Sequence, residues 1–213
     1  MKTSVIFDLD GTLLDTLGDL QGAVNDALHR RGLPPRTVDE VRRFAGNGVR
    51  MLMKRSLPEG STDAEIDAAL ADFKAYYAAH LTDSTVPYDG IPELLSALRK
   101  RGIKIAVLSN KLDSAAQQLM THFFDGQIDV VFGEHADVPR KPDPTSCRMV
   151  MERLGVQPED VLYVGDSGTD MQTACNAGLT AVGVTWGFRS REELIDSGAD
   201  FLADLPAQIL MML

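Results

Sequence analysis

The chain has 213 residues, 44% of them hydrophobic, and a formal net charge of −10 at pH 7; that is enough apolar material for one core carrying a substantial insertion. The acid excess argues against nucleic acid or an anionic membrane as partner, since both need clustered cations, whereas a small anionic substrate remains compatible with it. No apolar run approaches the roughly 20 residues that span a bilayer, no signal-peptide pattern precedes the first strand, and the two cysteines, Cys147 and Cys175, lack metal-ligand spacing, so the expectation is a cytoplasmic protein with reduced thiols.

The first element is a short apolar run, SVIFDLDGT at Ser4 to Thr12, with the length and β-branched content of a buried parallel strand. The next stretch, residues 15–83, holds no convincing strand and reads as about four helices. One covers Thr16 to Arg31 and stops at Gly32 before Pro34 and Pro35. Thr37 with Glu40, and Thr62 with Glu65, fit the S/T-x-x-E capping box. Within this block Arg42, Arg43, Arg50, Lys54 and Arg55 form a local cationic set in an acidic chain.

From Pro87 the pattern alternates regularly. A helix begins near Pro92 and ends near Gly102; the strand Lys104 to Ser109 follows, then helix Asp113 to Phe123, strand Asp129 to Phe132 and helix Thr145 to Leu154 closed by Gly155. Strand Val161 to Val164, helix Ser167 to Ala177 stopped by Gly178, and strand Thr180 to Val184 complete it. Right-handed crossovers make this an α/β fold, a Rossmann-like three-layer sandwich with a parallel sheet. The core is expected from residues 1–14 and 84–213, with an inserted all-helical cap at 15–83. The apolar tail Gln208 to Leu213 suits either core packing or a contact surface, which leaves monomer and homodimer both open.

Three strands end in chemistry. Asp8 and Asp10 follow the first, and Gly11 lets the chain turn and bring both toward one pocket. One carboxylate can attack phosphorus while the other moves a proton. An Asp-x-Asp alone is also ordinary turn chemistry. GDSGTD, Gly165 to Asp170, adds two acids at a helix start, hard oxygen donors of the kind that suit Mg²⁺; without a cation, such converging carboxylates would repel. Ser109 and Asn110 end the third run and can hydrogen-bond phosphoryl oxygens. Lys141, in a loop held by Pro142 and Pro144, can neutralise the nucleophile and the transferring group.

With DLDGT, the serine after the second strand, the lysine before proline and GDSGTD, the chain resembles the haloacid dehalogenase-like phosphohydrolase superfamily over essentially its full length. FAGNGVRML, SNK at Ser109 to Lys111 and GVTWGF at Gly183 to Phe188 are similar to its phosphoglycolate phosphatase-like subgroup. The resemblance implies a Mg²⁺-dependent phosphatase acting on a small phosphorylated metabolite. In it Asp8 forms an aspartyl-phosphate, and Asp10 protonates the leaving oxygen and later activates water. Mg²⁺ is held by the Asp8 carboxylate, the Asp10 main-chain carbonyl and Asp166, with Asp170 one shell out. Thr12, Ser109, Asn110 and Lys141 surround the phosphoryl group.

The helical insertion is expected to set the substrate, with Gly46, Asn47 and Gly48 near it and Arg43 or Arg50 meeting its carboxylate. Cap motion is expected around Asp15 and Thr82 to Pro87. Trp186 reads as a packing residue at the sheet edge. A dehalogenase lacks the second acid of the first motif, and a phosphonate hydrolase needs a cap lysine for which only Lys54 is near. A non-catalytic relative loses Asp8 or Asp10. A sugar phosphomutase keeps every one of these groups and would turn over sugar phosphates without releasing phosphate.

Overall fold

The computed structural model describes residues 2–213. β1 (Ser4–Phe7) is buried at every position and lies at the centre of the main sheet. The insertion then contributes α1 (Leu17–His29), α2 (Val38–Phe44), α3 (Val49–Ser56) and α4 (Asp63–Ala79), flanked by two-residue strands β2 (Leu14–Asp15) and β3 (Val86–Pro87) that pair with each other. After it come α5 (Ile91–Lys100), β4 (Lys104–Leu112), α6 (Asp113–Phe124), β5 (Val130–Glu134), α7 (Thr145–Leu154), β6 (Val161–Gly165), α8 (Gly168–Ala177), β7 (Thr180–Val184), α9 (Arg191–Asp196) and β8 (Phe201–Ala203).

The six-stranded sheet has the order β5-β4-β1-β6-β7-β8 and all its pairs are parallel. Side chains alternate across it. Ile6, Ala106, Leu108, Phe132 and Tyr163 pack with Cys147, Val150 and Leu154 of α7 and Met171 and Ala174 of α8. Val5, Phe7, Ile105 and Val107 are equally buried and, one residue out of phase, face the opposite layer. The chain winds from β1 to β4 and β5 on one side, then returns to β6, β7 and β8 on the other. The strand order therefore reverses between β4 and β6, on either side of β1, which makes the carboxyl end of β1 the topological switch point, where open parallel sheets place their ligands.

Local signals explain most element ends. Both capping boxes form: Thr37 and Thr62 accept from the N–H groups of Glu40 and Glu65, whose carboxylates accept from the cap N–H groups in return. Gly155 (φ 64) and Gly178 (φ 73) close α7 and α8 in the left-handed conformation. A third capping box, Ser167 with Asp170, opens α8. β4 runs past the expected Ser109 to Leu112, with a register shift against β5 between Leu108 and Leu112. α9 and β8 were absent from the expectation, being too short to carry a period.

Contacts divide the chain into two compact units, residues 1–14 with 87–213, and residues 15–86. The second crossing falls at Val86 to Pro87 rather than at 83 to 84, because Asp19 of α1 ties the preceding residues to the helical unit. Its buried carboxylate accepts from Ser84 N–H (2.8 Å), Thr85 N–H (2.9 Å) and Thr85 Oγ1 (2.6 Å). Asp19→Asn turns one of these acceptors into a donor facing N–H groups. It should lower unfolding free energy by about 2–4 kcal/mol in urea titration; an unchanged midpoint would remove the tie. Among the described residues no helix is long and apolar enough to cross a membrane.

Candidate active site

The chain leaves β1 in a tight turn. Asp8 N–H continues the ladder to Val164 O at 2.8 Å, and the Leu9 carbonyl then accepts from the N–H groups of Thr12, Leu13 and Leu14. Gly11 makes this possible at φ 85. A Cβ there would also lie 2.2 Å from Asp166 Oδ2, and one at Gly187 would lie 2.3 Å from Asp166 Cβ and 2.4 Å from the Gly11 carbonyl. Two glycines thus let the turn after β1, the turn after β6 and the loop after β7 close on one carboxylate. Gly187→Ala should displace Asp166 and cut kcat by about 10²-fold; a wild-type rate would mean that the Asp166 position does not matter. Trp186 pins the same turn by donating from Nε1 to Thr12 O at 3.0 Å.

Lys141 sits at the centre. Its ammonium, on a side chain 3% exposed, donates among Asp8 Oδ1 (2.8 Å), Asp170 Oδ1 (2.7 Å), Leu108 O (3.0 Å) and Tyr163 Oη (3.1 Å). Burial opposes its charge, yet Asp170 and Asp8 hold its pKa well above the ordinary lysine value. Burial pushes the Tyr163 phenol upward as well, so Tyr163 stays neutral and donates toward Asp170 Oδ1 at 3.3 Å.

Asp8, Asp166 and Asp170 each offer an oxygen, and these oxygens lie within 4.8 Å of one another. Burial first, then Asp170, lifts the Asp8 pKa to about 7 although Lys141 pulls it down. Burial, Asp170 and Asp8 raise that of Asp166 well above the carboxylate range, even with Phe188 N–H donating to its Oδ2 at 2.6 Å. With all three acids ionised, Lys141, which pairs with Asp8 and Asp170, would leave two negative charges uncompensated. A hard divalent cation matches that donor set and that charge, so the residues fit Mg²⁺. Asp170 has both oxygens engaged, Oδ1 with Lys141 and Oδ2 with Ser167 Oγ (2.6 Å).

The sequence-predicted residues of the core converge here. Thr12 Oγ1 is fully buried and has no hydrogen-bond partner among the described residues; such a hydroxyl needs an acceptor or donor from outside. Ser109 Oγ accepts from Lys111 N–H at 3.2 Å, which leaves its own proton to donate. The Asn110 side chain does something unforeseen: Oδ1 accepts from Lys141 N–H (3.0 Å) and Nδ2 donates to Lys141 O (3.2 Å). That amide is a strap fixing the Lys141 loop, a pairing that no local signal announces.

In the helical unit, Arg50 Nε and Nη2 donate to Asp67 (3.0 Å) and Asp63 (2.7 Å) of α4. Its guanidinium thereby links α3 to α4, while Arg43 is exposed on α2. Gly46 (φ 102) and Gly48 (φ 82) flank Asn47 in conformations that favour glycine. Arg55, given no role from sequence, holds that loop by donating to Phe44 O (2.8 Å) and Asn47 Oδ1 (2.9 Å). Both cysteines are free thiols; burial pushes Cys147 up to about 12, which leaves it inert.

Carboxylates poised for a cation beside a buried ammonium, at the switch point of a parallel sheet, form a site suited to phosphoryl chemistry. A family model described as haloacid dehalogenase-like hydrolase matches residues 5–184, and the chain belongs to that family. It is similar to a phosphoglycolate phosphatase of Pseudomonas putida (38% identity over 191 residues, 86% of this chain and 70% of that protein). It is also similar to one of Aquifex aeolicus (30% over 210 residues, 98% and 95%). Among solved structures, a putative phosphoglycolate phosphatase of Lactobacillus delbrueckii subsp. bulgaricus superposes with a TM-score of 0.92 at 36% identity, covering 98% of this chain and 97% of its own.

Proposed function

We propose that the protein hydrolyses a small phosphate monoester, 2-phosphoglycolate first, in a Mg²⁺-dependent reaction through an aspartyl-phosphate on Asp8. The observation that carries this reading is the buried cluster of Asp8, Asp166 and Asp170, two of which pair with the buried Lys141. The substrate is suggested by the relatives named phosphoglycolate phosphatase.

An Asp8 carboxylate oxygen attacks phosphorus, the bond from phosphorus to the ester oxygen breaks, and that oxygen leaves with its electron pair and a proton from Asp10. Asp10, now ionised, takes a proton from water; the hydroxide attacks phosphorus, and the bond to Asp8 breaks to release phosphate. Lys141 offsets charge on Asp8 and on the transferring group, while the Thr12 and Ser109 hydroxyls and the Asn110-strapped loop fix the phosphoryl oxygens. Asp8, Asp166 and the Asp10 carbonyl would hold Mg²⁺, which would supply neutralisation of charge on the transferring group. The helical unit of residues 15–86 acts as the cap and selects the ester, with Arg43 or Arg50 and the Gly46–Asn47–Gly48 loop as its reading elements.

Phosphate release across a panel of small esters tests the proposal, with Mg²⁺ and with EDTA. Preference for phosphoglycolate, abolished by EDTA, is expected. A flat profile would remove that substrate, and sugar-phosphate isomerisation without phosphate release would replace hydrolysis by a mutase reaction.

A further inference from the structure

The core buries a second lysine that the reaction scheme leaves unused. Lys111 stands at the carboxyl end of β4 with its side chain 2% exposed, and its Nζ donates to Asp10 Oδ1 at 2.8 Å. An ammonium so deeply buried is costly unless paired, so this position has a specific partner. The local backbone is built to deliver it. Between Leu108 and Leu112 the register of β4 against β5 shifts, and Lys111 N–H turns back to Ser109 Oγ. The opposing strand passes through Gly133, where a Cβ would stand 2.8 Å from Lys111 O and 2.4 Å from Asp113 Cα. Each carboxylate of the Asp8 and Asp10 pair thereby has its own ammonium from its own loop, Lys141 on the first and Lys111 on the second.

We infer that Lys111 is a positioning residue for Asp10: by engaging Oδ1 it fixes the carboxyl plane from which the proton is transferred. An oxygen accepting from an ammonium at 2.8 Å is not the one that carries the proton. A carboxyl free to rotate would present either oxygen, and a misplacement of about 1 Å is enough to cost 10²-fold in a proton-transfer step. The inference rests on Asp10 being the acid and base proposed above.

The experiment separates ester cleavage by leaving group. In rapid mixing with Mg²⁺, p-nitrophenyl phosphate phosphorylates Asp8 without needing a proton on its leaving oxygen, whereas an alkyl phosphate needs one. Lys111→Met is expected to keep the p-nitrophenol burst near the wild-type rate, to slow dephosphorylation, and to lower kcat for the alkyl ester about 10²-fold with KM little changed. Lys111→Arg, which restores a cationic donor, is expected to recover part of the alkyl rate, and serves as the probe should the methionine variant fail to fold. Equal slowing of aryl and alkyl cleavage would overturn the inference, as would an effect on KM alone for a carboxylated ester, which would make Lys111 a substrate reader. Asp10→Asn run in parallel distinguishes the two levels: if it does not slow the alkyl ester selectively, the assignment of Asp10 fails independently of Lys111.

Discussion

Asp8→Asn is expected to abolish phosphate release and, at the same time, to stabilise the cation-free protein at pH 8. The loss of turnover, by roughly 10⁴-fold or more, follows because an amide cannot attack phosphorus. The gain in stability follows from burial. The Asp8 carboxyl moves from 3.8 when unfolded to about 7 in the fold, so its charged form is disfavoured there. Its cost is absent below the lower value, grows between the two, and is fully present above 7, at on the order of 4 kcal/mol. Cation-free wild type should therefore melt lower at pH 8 than at pH 5, and the variant should lose much of that difference. Mg²⁺ should raise the wild-type midpoint most at the higher pH, where it finds the ionised cluster. Thermal melts at both pH values with EDTA or Mg²⁺ check this. A variant that turns over the ester, or one that melts below wild type at pH 8, would contradict one half of the prediction each.

Lys141→Met is expected to fail in the opposite sense, losing both activity and stability. Without the ammonium, Asp8 Oδ1, Asp170 Oδ1 and Leu108 O lose a shared donor inside the core. Breaking such a pair from one side costs about 3–5 kcal/mol, because the charge left behind has no compensation. Urea unfolding should show that loss, and kcat should fall by about 10³-fold as the charge facing the phosphoryl group disappears. Combining Lys141→Met with Asp170→Asn removes one of the stranded charges. The double variant should regain part of the stability and none of the rate, a non-additivity that marks direct contact. Additive losses would instead place the two side chains in independent roles.

Runs such as Val161 to Val164, and punctuation such as Gly155 and Gly178, made the sheet and its helices legible from sequence, because strand burial and helix termination are local properties. The acids and Lys141 were legible as a set because each follows a strand or a rigid turn. The connections between them were not. Nothing near Asn110 announces that its amide will strap Lys141, and SNK carries no sign that Lys111 reaches Asp10; both depend on a register shift in β4 and on Gly133 in a neighbouring strand. The ion pairs of Arg50 were hidden for a related reason. Its spacing suits a substrate contact, while Asp63 and Asp67, which claim it, lie on another helix. Asp19 likewise reads as a helix-start acid until Thr85 returns to it.

The central position of β1 fixes the order in which this enzyme can come into being. The first strand made is also the innermost, and its far partner arrives late: Ser4 bonds Asp160 across 156 positions, and Asp8 waits 133 for Lys141. On the ribosome, the insertion is complete before either neighbour of β1 exists, and its short-range helices can form while β1 has nothing to pair with. Until β4 has been made, a nascent chain carries Asp8 on an apolar strand with no partner in the sheet, and until β6 follows one edge of that strand stays open.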